Sequence, residues 1–148
     1  MTHRQSLPQQ WLMLDGCLGE DALRRLPRRS GVLVLGPLSA SARRRLRQIA
    51  RGRQLTVVSE VQGRAVRVHD QRELTRALLR RSPLILLSPI HPTGSHPDWP
   101  PLPRMRAAAL ARLTGRKAFA LGGMTAERYA KVARLGFLGW AGISAFRT

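Results

Sequence analysis

Acidic, cysteine, lysine and aromatic residues are all scarce in this chain. A single cysteine, Cys17, stands among 148 residues, which excludes an internal disulfide and a cysteine-built zinc cluster. With no histidine near it in sequence, it reads as a small apolar side chain rather than a nucleophile. Aromatics make up 5% of the chain, and it has neither the aromatic stripe that stacks RNA bases nor a Cys/His finger spacing. No apolar run approaches the ~20 residues that span a bilayer. The opening MTHRQSLPQQWLMLDG turns acidic at Asp15 without the apolar core or cleavage site of a signal peptide. The expectation is a cytoplasmic protein with no membrane partner.

Charge of one sign dominates what is present. Twenty-six Lys and Arg face eight Asp and Glu, for a net charge of +18. A basic surface of this kind neutralises phosphates and releases counterions, so an Arg-rich nucleic-acid-associated domain is one reading of the chain. The arginines, however, are spread from Arg4 to Arg147 and sit in helix-like runs such as ASARRRLRQIARGR. Solvated helix faces explain such runs without a ligand, and no specific nucleic-acid partner is expected. The length and a 43% hydrophobic content fit one domain, residues 1–148, with a real core.

Apolar runs alternate with amphipathic ones along the chain. QWLMLDG (10 to 16) reads as a strand, followed by a helix GEDALRRL that Pro27 stops. SGVLVLGP (30 to 37) is a continuous apolar run of the kind buried on both faces of a parallel sheet, and the helix after it has Ser39 or Ser41 as N-cap and Gly52 as its stop. LTVVSEV (55 to 61) and AVRVHD (65 to 70) are separated by only three residues. That is too short for the crossover that parallel neighbours need, so the pair is either a hairpin or the scar of a deleted βα unit. Helix QRELTRALLRR, strand LILLSP, helix PRMRAAALARLTG, strand KAFALGG, helix TAERYAKVARLG and strand FLGWAGISAF follow. This alternation predicts a parallel α/β sheet, either open and flavodoxin-like or closed as a barrel. Glycine loops on late consecutive strands favour a TIM-barrel-like (β/α) fold, shortened or incomplete at this length.

SPIHPTGSHP, ALGGMT and GWAGISAF, in that order and spacing, resemble the thiamine phosphate synthase/TenI superfamily. Its barrel carries a Pro-x-Phe-x-Thr-x-Thr-Lys loop, a Gly-Gly-Ile turn and a Val-Ser-Ala-Ile strand end. VHDQREL resembles its His-x-x-x-Glu segment, placing His69 and Glu73 on those positions, and QWLMLDG resembles its first strand. The resemblance implies phosphate binding at Gly122, Gly123, Ile143 and Ser144, and a substrate loop with Thr93 and Ser95, where His96 replaces the family lysine. Arg67 replaces the serine ahead of His69 and offers a cation to phosphate.

The other half of the family's site departs from its pattern. GVLVLGP lacks the Gln-x-Arg-x-Lys grip on pyrophosphate, and LTVVSEV supplies only Glu60 where the family uses an Asn-Asp pair and a further Asp for Mg2+. Mg2+ is accordingly expected only if the chain is catalytically active. Candidate acid/base residues are His69, His91 and His96. Trp99, in the loop, is a candidate for stacking on a ligand ring, whereas Trp11 and Trp140 read as core. Asp15 either serves the site or caps the following helix.

The resemblance implies a thiamine-phosphate-synthase-like transferase that joins a pyrimidine pyrophosphate to thiazole phosphate, or a divergent activity on thiazole phosphate. The alternative is a catalytically inactive homologue that keeps the phosphate pocket. The expected partner is a small phosphorylated thiazole, and the sequence leaves a homo-oligomer open.

Overall fold

The computed structural model describes residues 7–94, 97–115, 117–143 and 146. Seven strands lie among them, β1 (Gln10–Leu14), β2 (Gly31–Val34), β3 (Thr56–Ser59), β4 (Ala65–Val68), β5 (Leu84–Leu87), β6 (Ala118–Leu121) and β7 (Gly139–Gly142). Every pairing between them is parallel, in the order β3-β2-β1-β7-β6-β5-β4. First and last strands therefore meet, with Gln10 opposite Trp140 and Leu12 opposite Gly142. The sheet runs round as a barrel does, and the flavodoxin-like order is ruled out.

β3 and β4 are the two ends of this sheet and do not pair. They are no hairpin. A short 3-10 turn, Glu60–Gln62, joins them where the other strands are joined by helices. The fold is a barrel short of one βα unit, with a seam at that place.

Side-chain alternation along the strands separates an inner from an outer core. Trp11 and Met13 of β1, Leu33 of β2, Ala65 of β4, Leu84 and Leu86 of β5, Phe119 and Leu121 of β6 and Ala141 of β7 form one cluster, with Val58 of β3 against it. It fills the barrel. Trp11 is wholly buried, meets Phe119 edge-to-face with centroids 6.0 Å apart, and donates its indole N–H to the Pro8 carbonyl at 2.8 Å. Its ring occupies the place where a side chain on β2 would point. A Cβ built on Gly31 would lie 2.2 Å from Trp11 ring atoms, so the large residue on one strand requires the glycine on its neighbour.

The helices cover the outer faces. α1 (Glu20–Arg25) and α2 (Ala40–Arg53) pack on Leu12, Leu14, Val32 and Val34. α3 (Gln71–Leu79), α4 (Arg104–Leu113) and α5 (Ala126–Val132) cover Val68, Ile85, Leu87, Ala118, Ala120 and Trp140. Trp140 also stacks on Phe146 at 5.2 Å, so Trp11 and Trp140 are both packing residues, on opposite faces of the sheet.

Caps at two helices match the sequence reading less closely. Ser39 is the N-cap of α2, accepting from the Ala42 N–H at 3.2 Å. Gly52 does not end that helix, which runs through Arg53 and closes on Gln54 in the left-handed conformation. Asp15 is not the cap of α1 either; Gly19 occupies that position.

Candidate functional site

The inward positions of the strands continue past their C-terminal ends into a cavity of about 780 Å3. Asp15 follows Trp11 and Met13 in the period-two alternation, Leu35 follows Leu33, His69 follows Arg67, and Ser88, Gly123 and Ile143 complete the ring. A volume of this order suits a small ligand. Ligand sites in barrels lie at this end.

His69 is the best-ordered acid/base group there. Asp70 caps α3 by accepting from the Glu73 N–H at 2.8 Å. Glu73 in turn reaches back to the His69 N–H at 2.8 Å and to its Nδ1 at 2.9 Å. A carboxylate at Nδ1 fixes that nitrogen as the N–H and leaves Nε2 for a ligand. Trp99, 42% exposed, meets the imidazole edge-to-face at 5.1 Å and lines the same cavity.

Gly122 and Gly123 form a turn with φ of 102° and 59°. A Cβ on Gly122 would lie 2.8 Å from the Pro89 Cα, and one on Gly123 would lie 2.5 Å from the Pro92 carbonyl oxygen. Two glycines are therefore required by the loop folded over them, which the His91 N–H ties to the Gly122 carbonyl at 3.1 Å. Both glycines line the cavity, as do Ile143, Thr93 and Arg67. Ser144, Ser95 and His96 lie outside the described residues.

Two cations escaped sequence reasoning. Thr125 caps α5 by accepting from the Arg128 N–H at 3.2 Å, and the three-residue steps Thr125, Arg128, Lys131 put all three on the cavity side of that helix. The guanidinium of Arg128 donates to the Gly123 carbonyl. With Arg67, whose Nε is paired with Glu60, three positive side chains line the cavity that the glycine turn borders, together with the Glu127 carboxylate. The signal was in the sequence, as basic residues at i and i+3 just after a strand-end Gly-Gly turn, but it was lost among 24 arginines.

His91 is not among the cavity-lining residues. Its Nε2 is buried without a partner among the described residues. Burial, followed by the charges of Arg128 and Lys131, lowers its pKa below the ordinary imidazole value. It lies beside the cations rather than in the cavity lining.

Glu60 follows β3 and pairs across the seam with Arg67, Oε1 to Nε, at 3.1 Å. Its other oxygen is buried without a partner among the described residues, and it does not line the cavity. Mg2+ is held near-octahedrally by one or two carboxylates together with substrate phosphate and water. Among the described residues no three His, Cys, Asp or Glu come together to hold an ion, and the guanidinium already on Glu60 opposes a second cation there. Glu60, the carboxylate that the sequence offers for Mg2+, is therefore unsuited to it.

No described helix is long and apolar enough to cross a membrane. In a search of curated proteins nothing matches. Among solved structures, the fold is similar to a thiamine phosphate pyrophosphorylase from Pyrococcus furiosus, with a TM-score of 0.70 and 15% identity, over 94% of this chain and 86% of that one. The thiamine monophosphate synthase family model matches residues 64–146, more than half of the chain and the whole arc from β4 to β7. On that match, the chain belongs to the thiamine monophosphate synthase family.

Proposed function

We propose that the chain binds a phosphorylated thiazole in the cavity and serves thiamine biosynthesis as a divergent family member, acting on that ligand by proton transfer. The observation that carries this reading is the meeting of the Gly122-Gly123 turn, three cations and the His69–Glu73 pair at one strand-end cavity. The phosphate sits between the turn and the Arg128 and Lys131 side chains, where charge-assisted donors hold an anion better than neutral ones. The heteroaromatic ring lies toward Trp99 and His69. Nε2 of His69 takes up or returns a proton, and Glu73 keeps the imidazole oriented.

Coupling to a pyrimidine pyrophosphate is the less supported activity. β2 brings only apolar groups, Gly31 to Val34, and Glu60 is already held by the Arg67 guanidinium. Departure of pyrophosphate needs charge stabilisation that these residues do not provide.

Two assays decide between the readings. Titration calorimetry with thiazole phosphate, in a chelator, is expected to show binding, and NMR in D2O is expected to show exchange of a carbon-bound ligand proton that His69→Gln abolishes. Formation of thiamine phosphate from the two substrates with Mg2+ would overturn this reading in favour of the synthase. Binding without exchange would reduce the protein to a phosphate-ligand carrier.

A further inference from the structure

The seam leaves a place on the outside of the barrel that no helix fills. α2 and α3 flank it, and between them lie only β3, the 3-10 turn and β4. The floor is apolar and open. Val57 of β3 is 39% exposed and Val61 of the turn 66%, and on the β4 and α3 side a hollow of about 340 Å3 is lined in part by Val66 and Ala77. The outward faces of the other strands carry helices.

The walls are basic. Arg45 of α2 turns toward α1, where it holds Glu20 at 2.9 Å, and Leu46, Ile49 and Ala50 face the core. At 100° per residue, Arg43, Arg47 and Arg51 then fall on the flank away from α1, toward the seam. On the opposite wall Arg76 and Arg80 line the hollow with Arg67. The two carboxylates nearby are already engaged, Glu60 by Arg67 and Glu73 by His69.

We propose that this groove docks an acidic amphipathic helix of a partner protein, which takes the place of the missing helix. Its apolar stripe covers Val57 and Val61, and its carboxylates meet the arginines of α2 and α3. A second copy of the chain is a poor occupant, because its net charge of +18 sets cation against cation. A nucleic acid would satisfy the walls, but the groove offers it valines and no aromatic ring to stack on. The groove and the strand-end cavity share Arg67, but the peptide is titrated without any cavity ligand, so its binding does not depend on the proposed function.

The probe is a labelled synthetic peptide of about 18 residues, long enough for five helical turns. It carries Leu at i, i+3, i+4 and i+7 and Glu on the opposite face, and is titrated into the full chain by fluorescence anisotropy at ~0.15 M salt. It should bind at least about tenfold tighter than a scrambled peptide of the same composition. Val61→Asp, at an exposed position that tolerates a polar residue, and the pair Arg76→Glu and Arg80→Glu should each weaken it about tenfold or more. The pair Arg106→Glu and Arg112→Glu on α4, with the same change in net charge, should weaken it less than about threefold. Displacement by the scrambled peptide or by a single-stranded oligonucleotide of equal charge would overturn the proposal, as would equal loss in the α4 pair. A Val61-dependent dimer in sedimentation would overturn it in favour of a second copy.

Discussion

The arc from β1 to β3 and the arc from β4 to β7 are built on one plan, apolar strands with helices outside, yet they meet the cavity with different groups. The first arc brings Met13, Asp15 and Leu35, one carboxylate on an otherwise apolar wall. The second brings Arg67, His69 and Ser88, the Gly122-Gly123 turn, and Arg128 and Lys131 from the helix behind it. The first arc closes the barrel, and the second holds the groups that can act on a ligand. The family match covers the second arc alone. On the proposed function, both arcs serve packing and the second carries the chemistry.

The sharpest break in this comparison is His69→Gln. It keeps a hydrogen-bonding side chain but removes the titrating nitrogen, and ligand proton exchange followed by NMR should fall by about 10^2 to 10^4, with binding changed far less. Asp15→Asn, the matching change in the first arc, should leave exchange within about threefold of the unaltered chain. An equal loss in both variants would erase the distinction between the arcs. Next in size is the pair Arg128→Ala and Lys131→Ala. Two charge-assisted phosphate contacts are lost, and calorimetry should show thiazole phosphate binding weakened by about 3 kcal/mol.

Most of the fold could be read in the sequence because its determinants are local. The runs VLVL, LILL and AFAL can be buried only as strands covered on both faces, and the three-residue link after Val61 forbids an ordinary crossover. What that link produces was not local. Whether β3 and β4 pair depends on the closure of β1 against β7, which no short window encodes. The Gly-Gly turn was legible at a strand end and His69 with Glu73 through the family resemblance, whereas the reason for the glycines, the loop lying on them, depends on Pro89 and Pro92, far earlier in the chain. Arg128 and Lys131 were hidden by composition. Their meaning comes from the side of α5 they occupy, set by the cap at Thr125 and the burial of Tyr129 and Val132.

Glycines test the two arcs as packing. Gly123→Ala places a Cβ against the Pro92 carbonyl at a positive φ and should cost about 2 kcal/mol of unfolding free energy. Binding should weaken as well, since the loop that displaces it borders the cavity. Gly31→Ala meets the Trp11 ring and should cost about as much in denaturant melts, while any surviving folded protein binds ligand normally. A binding defect specific to Gly31→Ala would place function in the first arc as well.

The smallest effect concerns His91. Burial, together with Arg128 and Lys131, keeps its folded-state pKa below the ordinary value. The unfolded chain therefore takes up a proton that the folded chain resists, so the contribution to stability is present above about pH 6.5 and is lost as pH falls below it. His91→Gln should flatten the dependence of the melting temperature on pH between about pH 7.5 and 5.5. Phosphate bound at Arg128 and Lys131 should raise the His91 pKa, a shift that NMR titration of the ring can follow.

On the proposed function, the second arc holds a phosphorylated thiazole through its phosphate and without a metal. Calorimetry in a chelator, comparing thiazole phosphate with the corresponding thiazole alcohol, tests it most directly. The phosphate form should bind on the order of a hundredfold tighter, and the advantage should vanish when Arg128 and Lys131 are both alanine. Equal affinity for the two ligands, or binding seen only when Mg2+ is added, would contradict it.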